Sequence, residues 1–526
     1  MSPPISSSCK LKKFSIACLL LASLHVGFAY KILVVFPMPG KSHTILGEGV
    51  VRHLANAQHD VTYITPILLK SPPKNVRQID VTSNFDFMKN NAADMLNLKS
   101  HMDNNAEMDM SMIFNMMLQI HNMTYHNPSV QKLLSDTSEQ FDVVIAEWMF
   151  SELYSGFSAI FNVPHIWVST VEPHWLVLRL IDEACNPAYT SDTLSSNIPP
   201  FSFIGRLQQL GSQIFGFGLK KFLIEGFEEK AYAELTPYFK MRGRQAPAYK
   251  ELAFNASLML GNSHVSLGQP MSLPQSYINV GGYHIETNLA PLPKDLQTLM
   301  DNAKHGVIYF SLGSNIQSKD LPDELKQSLL KMFGELKHTV IWKFEETLPG
   351  LPSNVHILKW APQPSILAHP NCILFITHGG LLSTTETIHF GKPIIGIPVF
   401  ADQFVNVNRA VAKGFAKRVD LSYGMAPELG AAIKDIIGDP KYSNNVKQLS
   451  LIYHDRPVPP GKELVHWVEH VVKTNGAPHL RSPALSVPFY QKMYLDLLAL
   501  IVVILLGIRA IFRRIFKKKS SKVKKE

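Results

Sequence analysis

Cys372-Ile-Leu-Phe-Ile-Thr-His-Gly-Gly-Leu-Leu-Ser-Thr-Thr-Glu386 carries the decisive local pattern: an apolar run of strand length, a glycine pair, then a helical stretch. A strand that is apolar on both faces and feeds a helix through a short turn is the unit of a parallel, doubly wound sheet. Further runs of the same kind lie at Lys31 to Phe36, Val61 to Thr65, Phe141 to Ala146, His165 to Val168, Gly306 to Phe310, Val340 to Lys343 and Pro393 to Val399, with helical patterns between them. These are enough strands for two sheets. The stretch Ile285-Glu-Thr-Asn-Leu-Ala-Pro-Leu-Pro293 has the proline content of a linker. The reading is therefore α/β, with one doubly wound domain over 30–285, a linker at 286–293 and a second over 294–450. Returning helices and a membrane-proximal segment follow over 451–492, and ligand is expected at the C-terminal ends of the strands in the cleft between the domains.

The chain has 526 residues, 46% hydrophobic and 18% charged, which excludes a disordered protein. Its net charge of +9 is concentrated at the ends: residues 1–29 carry +3, residues 509–526 carry +8, and the body between is at −2. That distribution argues against nucleic acid as a partner and for charge beside a membrane.

Lys10-Leu-Lys-Lys13, the apolar run Phe14 to Phe28 and the small residues around Ala29 read as a signal peptide cleaved after Ala29, with an uncleaved anchor as the other reading. Met493 to Phe512 is long enough, at about 30 Å of helix, to cross a bilayer, and the basic 513–526 tail lies on the cytosolic side by the positive-inside rule. The body is then lumenal in a single-pass type I arrangement. Lys522 and Lys524 resemble an endoplasmic-reticulum retrieval signal or attract anionic lipid. Only Cys185 and Cys372 remain in the mature chain, too few for a disulfide framework or a cysteine metal site, while Asn122-Met-Thr124 and Asn255-Ala-Ser257 are glycosylation sequons.

Two glycine patterns are dismissed. Pro39-Gly40-Lys41-Ser42 lacks the first glycine of a phosphate loop, where Val35 stands, and Gly47-Glu-Gly49-Val-Val-Arg52 lacks the third glycine of a dinucleotide fingerprint.

The densest chemical signal runs from Trp360-Ala-Pro-Gln363 through Thr377-His-Gly-Gly380 and Ser383-Thr-Thr-Glu386 to Pro393-Ile-Ile-Gly-Ile-Pro398 and Ala401-Asp-Gln403. A strand turning through His378, Gly379 and Gly380 into a helix presents free backbone N–H groups and a positive dipole end to a diphosphate. His378 and Ser383 add side-chain donors, and Ser314 in Phe310-Ser-Leu-Gly-Ser314 caps from the other side. Trp360 offers a flat face for a planar ring to stack on, Gln363 and Glu386 can hydrogen-bond hydroxyls, and Asp402 and Gln403 supply acceptors and a donor for further hydroxyls. Singly, each has an ordinary structural reading; their spacing within one segment favours the functional one.

Here the chain resembles the UDP-glycosyltransferase family, most closely its arthropod branch in the wording Leu381-Leu-Ser-Thr-Thr385. The resemblance spans nearly the whole chain and implies the two-domain GT-B fold. It also implies inverting transfer of a sugar from a UDP-sugar, a co-substrate rather than a cofactor, to hydroxyls of small lipophilic acceptors. It assigns His43 as general base, with a neutral imidazole suited to proton removal near neutral pH. The family's aspartate partner corresponds to Glu147, with Glu152 as the fallback and water alone as a further reading. Leu381 and Leu382 depart from relatives that have Trp or Asn there, so one phosphate hydrogen bond is lost or replaced by backbone. No metal is implied, and no Asp-x-Asp motif occurs.

The arthropod wording favours UDP-glucose. UDP-glucuronate, a lipid acceptor such as ceramide and a catalytically silent UDP-sugar binder stay open, and a homo-oligomer is admitted but not specified. The seven methionines between Met102 and Met123 suit either an adaptable acceptor pocket or ordinary core. Phe201 to Phe227, with Lys220-Lys221, reads preferentially as an amphipathic helix of the N-terminal core, with membrane-surface contact as the alternative.

Overall fold

The computed structural model describes residues 29–91, 97–103 and 110–523. Residues 1–28 of the expected leader and the last three residues of the tail lie outside them. Two wholly parallel sheets form the body, of seven strands in the order β3-β2-β1-β4-β5-β6-β7 and of six in the order β10-β9-β8-β11-β12-β13. The first comprises β1 Lys31–Val35, β2 Asp60–Thr65, β3 Val76–Asp80, β4 Val143–Trp148, β5 His165–Ser169, β6 Leu258–Gly261 and β7 Tyr277–Asn279. The second comprises β8 Val307–Ser311, β9 Thr339–Lys343, β10 Val355–Leu358, β11 Cys372–Thr377, β12 Ile394–Gly396 and β13 Ala416–Arg418.

Each sheet follows the order 3-2-1-4-5-6, so each has a switch point between its first and fourth strands where the loops part to leave a crevice. All eight strands read from the sequence are present. The five not read (β3, β6, β7, β10, β13) are short or partly polar strands on the flanks of the two sheets. Residues 286–293 pass between the sheets without helix or strand.

The helices that bear on the cleft are α1 Lys41–Asn56, α2 Met110–His126, α3 Phe203–Leu219, α4 Gln363–Ala368, α5 Leu381–Phe390, α6 Gln403–Ala412, α7 Pro440–His454, α8 Pro460–Lys473 and α9 Leu495–Val523. Gly47 and Gly49 sit inside α1 and let it approach Tyr63, Phe36 and Tyr283, which accounts for them as packing glycines. Helix α8 returns to the first sheet: Leu464, Val468 and Val471 share a core with Ile32, Val34 and Val50. In the other direction, Leu98 is buried within the core of the second sheet. The two domains are thus laced together by segments that cross between them. Helix α9 begins two residues after the expected start of the span; its apolar stretch Leu495–Phe516 is long enough to cross a membrane and is unburied.

A buried ion network braces the N-terminal domain. The Glu152 carboxylate meets Arg179 Nη2 and Lys220 Nζ, each at 2.8 Å, and Lys220 Nζ also meets Glu228 at 2.6 Å. Burial acts to raise the pKa of Glu152, but Lys220 and Arg179 prevail and hold it at about 2. Lys220→Met leaves Glu228 buried without its cation, and removing one partner of a buried pair costs about 3–5 kcal/mol. The expected result is a lowered urea midpoint, followed by tryptophan fluorescence of the full chain.

Candidate active site

Strands β1 and β4 are neighbours in register, with Val35 opposite Ala146. The residues after those positions therefore emerge side by side at the C-terminal edge of the sheet, although far apart in the chain. His43, in the first turn of α1, is joined there by its Nδ1–H to the Glu147 carboxylate. The Glu147 side chain is almost fully buried, and its second oxygen has no partner. With Nδ1 engaged, Nε2 is the nitrogen open to an acceptor. Burial acts to lower the His43 pKa, but the Glu147 charge and hydrogen bond, with Asp402 across the cleft, raise it on balance. Glu152, the fallback, belongs to the ion network described above.

The second domain supplies the facing wall. Strand β11 ends at Thr377, and Gly379 takes φ 83°, which turns the chain into α5. A Cβ at Gly379 would run into a Val407 methyl, and one at Gly380 would lie 2.6 Å from His378 Nε2. No side chain caps the start of α5, so its first N–H groups remain for a ligand. The His378 ring lies between the turns of Gly313 and Gly380, where burial and Lys343 push its pKa down to about 4. It is a neutral imidazole at physiological pH. Gly379→Ala combines strain at positive φ with overpacking, and about 1–3 kcal/mol of lost stability is expected from chemical unfolding.

Gln363 opens α4 and ties together the residues expected on the ribose side. Its Nε2 donates to Glu386 Oε2 at 2.8 Å and to Ser383 Oγ at 3.1 Å, while Tyr309 O–H donates to its Oε1 at 3.4 Å. Trp360 is 58% exposed, with the Lys41 ammonium from the opposite domain 5.8 Å from its ring centre. Asp402 accepts from Asn406 Nδ2 at 2.8 Å and follows Ala401, whose φ of 53° aims the turn. Burial raises the Asp402 pKa, against the lowering effect of its hydrogen bonds and of His43.

Not every expected residue is turned to ligand. Gln403 Oε1 accepts from the N–H groups of Val399 and Phe400, so its carbonyl oxygen holds the loop. Ser314 stands in the turn beside Gly313, half-buried and, among the described residues, unbonded to the rest of the set, so its hydroxyl stays available to a ligand. Leu381 is core, and Leu382 packs against the N-terminal domain and so serves the domain contact.

Sequence reasoning passed over His284, which is 5% exposed with both ring nitrogens unbonded and Nε2 3.7 Å from Glu386 Oε1, and Lys41 beside Trp360. A lone histidine before a linker and a lysine within a dismissed motif gave no signal.

The family model described as UDP-glucoronosyl and UDP-glucosyl transferase matches residues 31–526. The chain belongs to the UDP-glycosyltransferase family. Among curated relatives, UDP-glucosyltransferase 2 of Dactylopius coccus is 32% identical over 476 residues, covering 90% of each chain. UDP-glucuronosyltransferase 2B1 of Rattus norvegicus is 33% identical over 61% of this chain and 59% of its own. Solved structures agree in fold. The calicheamicin glycosyltransferase CalG4 superposes with TM-score 0.56 at 14% identity, over 85% of this chain and 99% of that one. A UDP-glucosyltransferase from Polygonum tinctorium gives 0.54 at 15% identity, with the same coverage. This UDP-glycosyltransferase has the GT-B architecture, and its family transfers sugar from a UDP-sugar to an acceptor.

Proposed function

We propose that the chain is a membrane-anchored, lumen-facing enzyme that transfers glucose from UDP-glucose to a hydroxyl of small lipophilic acceptors, with inversion and without a metal. The observation that carries this reading is the partly exposed His43 held by the buried Glu147 carboxylate in the cleft, opposite Asp402 and the uncapped start of α5. His43 Nε2 takes the acceptor O–H proton as the acceptor oxygen attacks the anomeric carbon from the face opposite UDP. The C–O bond to phosphate breaks with its electron pair leaving on UDP, and the product is a β-glycoside. The α5 N–H groups, neutral His378 and the Ser383 and Ser314 hydroxyls receive the diphosphate charge. Gln363 and Glu386 hold ribose, while Asp402 and the free amide nitrogen of Gln403 meet the sugar.

Glucose is supported by the name of the Dactylopius relative, a UDP-glucosyltransferase; the rat relative's name keeps glucuronate as the competing donor. The deciding experiment offers UDP-glucose and UDP-glucuronate separately to microsomes carrying the full chain, with phenolic and steroidal acceptors, and reads the anomeric configuration of the product by NMR. A β-glucoside is expected. An α-glycoside overturns the inverting mechanism, and turnover of UDP-glucuronate alone overturns the donor.

Trp360→Ala removes the uracil platform. Base stacking on an aromatic side chain is worth about 1–3 kcal/mol, so KM for the UDP-sugar is expected to rise about 10- to 100-fold with kcat little changed. Of the two sequons, Asn255 is exposed in a loop, whereas Asn122 lies within α2 beside the fully buried Thr124. Asn255 is the better placed acceptor for glycan. We propose α9 as the anchor, the endoplasmic reticulum as the compartment and residues 1–29 as a cleaved leader.

A further inference from the structure

Helix α3 is seated inside out. Its buried residues are Gly205, Gln209, Gln213, Gly216 and Leu219, a stripe that is mostly glycine and glutamine. Gln209 Oε1 accepts from Asp192 N–H at 2.8 Å and its Nε2 donates to Ser195 Oγ at 2.7 Å. Gln213 donates to the Cys185 carbonyl at 3.4 Å, and Gly216 lets the helix rest on the Trp175 ring. The apolar stripe points away from the protein. Phe203 is 71% exposed and Phe222 84%, with Ile204, Leu207, Leu210, Ile214, Phe215, Leu223 and Phe227 exposed around them. No acidic residue occurs from 203 to 224. Lys220, which the sequence suggested as a surface cation, instead points inward to Glu152 and Glu228. The preferred expectation of a core helix is therefore corrected, because the glycine and glutamine stripe, with Leu219 and Ile224 at its end, makes the contacts with the domain and most of the large apolar residues stay outside. Scattered exposed apolar residues are normal, but a contiguous stripe of this size marks an interaction surface.

What covers it follows from the path of the chain to α9. Ser482 Oγ bonds to Asp182, and Arg481 Nη1 bonds to Asn255 Oδ1 at 3.1 Å, which pins the approach to the anchor on the N-terminal domain. Asp182 is three residues, at most roughly 10 Å, from Cys185, to which α3 is itself bonded. From Ser482 the chain runs through exposed Phe489, Tyr490, Met493 and Tyr494 into α9, and aromatic residues of that kind favour the membrane–water interface.

We propose that the outward face of Phe203 to Phe227 lies in the interfacial layer of the bilayer that α9 enters, giving the enzyme a second membrane contact. This rests on the reading of α9 as a membrane anchor. On the inner side, Leu219 and Ile224 pack on Phe114 and Phe150, so a single helix separates lipid from the α2 wall on the acceptor side of the cleft.

The test uses the full chain in phosphatidylcholine vesicles doped with a phospholipid that carries a diazirine on its acyl chain, with labelled peptides read by mass spectrometry. Label is expected in α9 and in the 203–227 peptide, and none at Leu451, which is equally exposed but lies on α7. Label in α9 with none in 203–227 overturns the second contact while the anchor stands. No label in either overturns both. Cross-links joining 203–227 of two copies, with lipid label absent there, assign the face to a homodimer and also overturn the proposal.

Discussion

His43→Ala is expected to lower kcat/KM by about 10²–10⁴-fold, the range contributed by a positioned general base. KM for the UDP-sugar is expected to stay unchanged, because the residues proposed for the donor lie on the opposite domain and, among the described residues, the ring contacts none of them through a hydrogen bond. Among the described residues its one such bond is to Glu147, on its own sheet. Steady-state kinetics with both substrates varied checks the split. A parallel rise in donor KM would place His43 in donor binding instead of proton transfer.

Glu147→Gln is the second large effect, expected to lower kcat by on the order of 10²–10⁴-fold. A carboxylate on Nδ1 fixes the tautomer that leaves Nε2 free to accept a proton, and it stabilises the imidazolium that forms. An amide does neither reliably. The pH dependence carries a sign. Only neutral His43 can take the acceptor proton, so activity falls as pH drops through its pKa. Glu147 raises that pKa, while burial acts to lower it. Removing the charge therefore shifts the acid limb of the kcat/KM profile to lower pH even as the plateau falls. Glu147→Asp keeps the charge but shortens the reach, so it retains more activity than the amide.

The central strands were legible because they are apolar on both faces. β4, β8 and nearly all of β11 are buried, and their sequences say so. The flanking strands were not, since Val76-Arg-Gln-Ile-Asp80 and Ala416-Lys-Arg418 are half solvated and carry the polar residues of loops. The loop proposed for the donor was legible because its residues are close in sequence. The Glu147 bond to His43 was legible only as a resemblance; what brings the two together is the pairing of β1 with β4 across more than a hundred residues. His284 beside Glu386 spans a similar separation, with no local pattern to announce it. Helix α3 teaches a different lesson. Periodicity reveals that a helix has two faces, but which face turns inward depends on the surface that receives it, and here hydrogen bonds from Gln209 and Gln213 decide.

The most direct test is acceptor-dependent UDP release from UDP-glucose by the full chain and by its His43→Ala variant, side by side in microsomes at equal protein level. The account predicts release that depends on a hydroxyl-bearing lipophilic acceptor and is lost in the variant, with UDP-glucose binding intact in both. Equal release by the two proteins would contradict the assignment of proton transfer to the His43–Glu147 pair, and binding without release by either would make the chain a silent UDP-sugar binder.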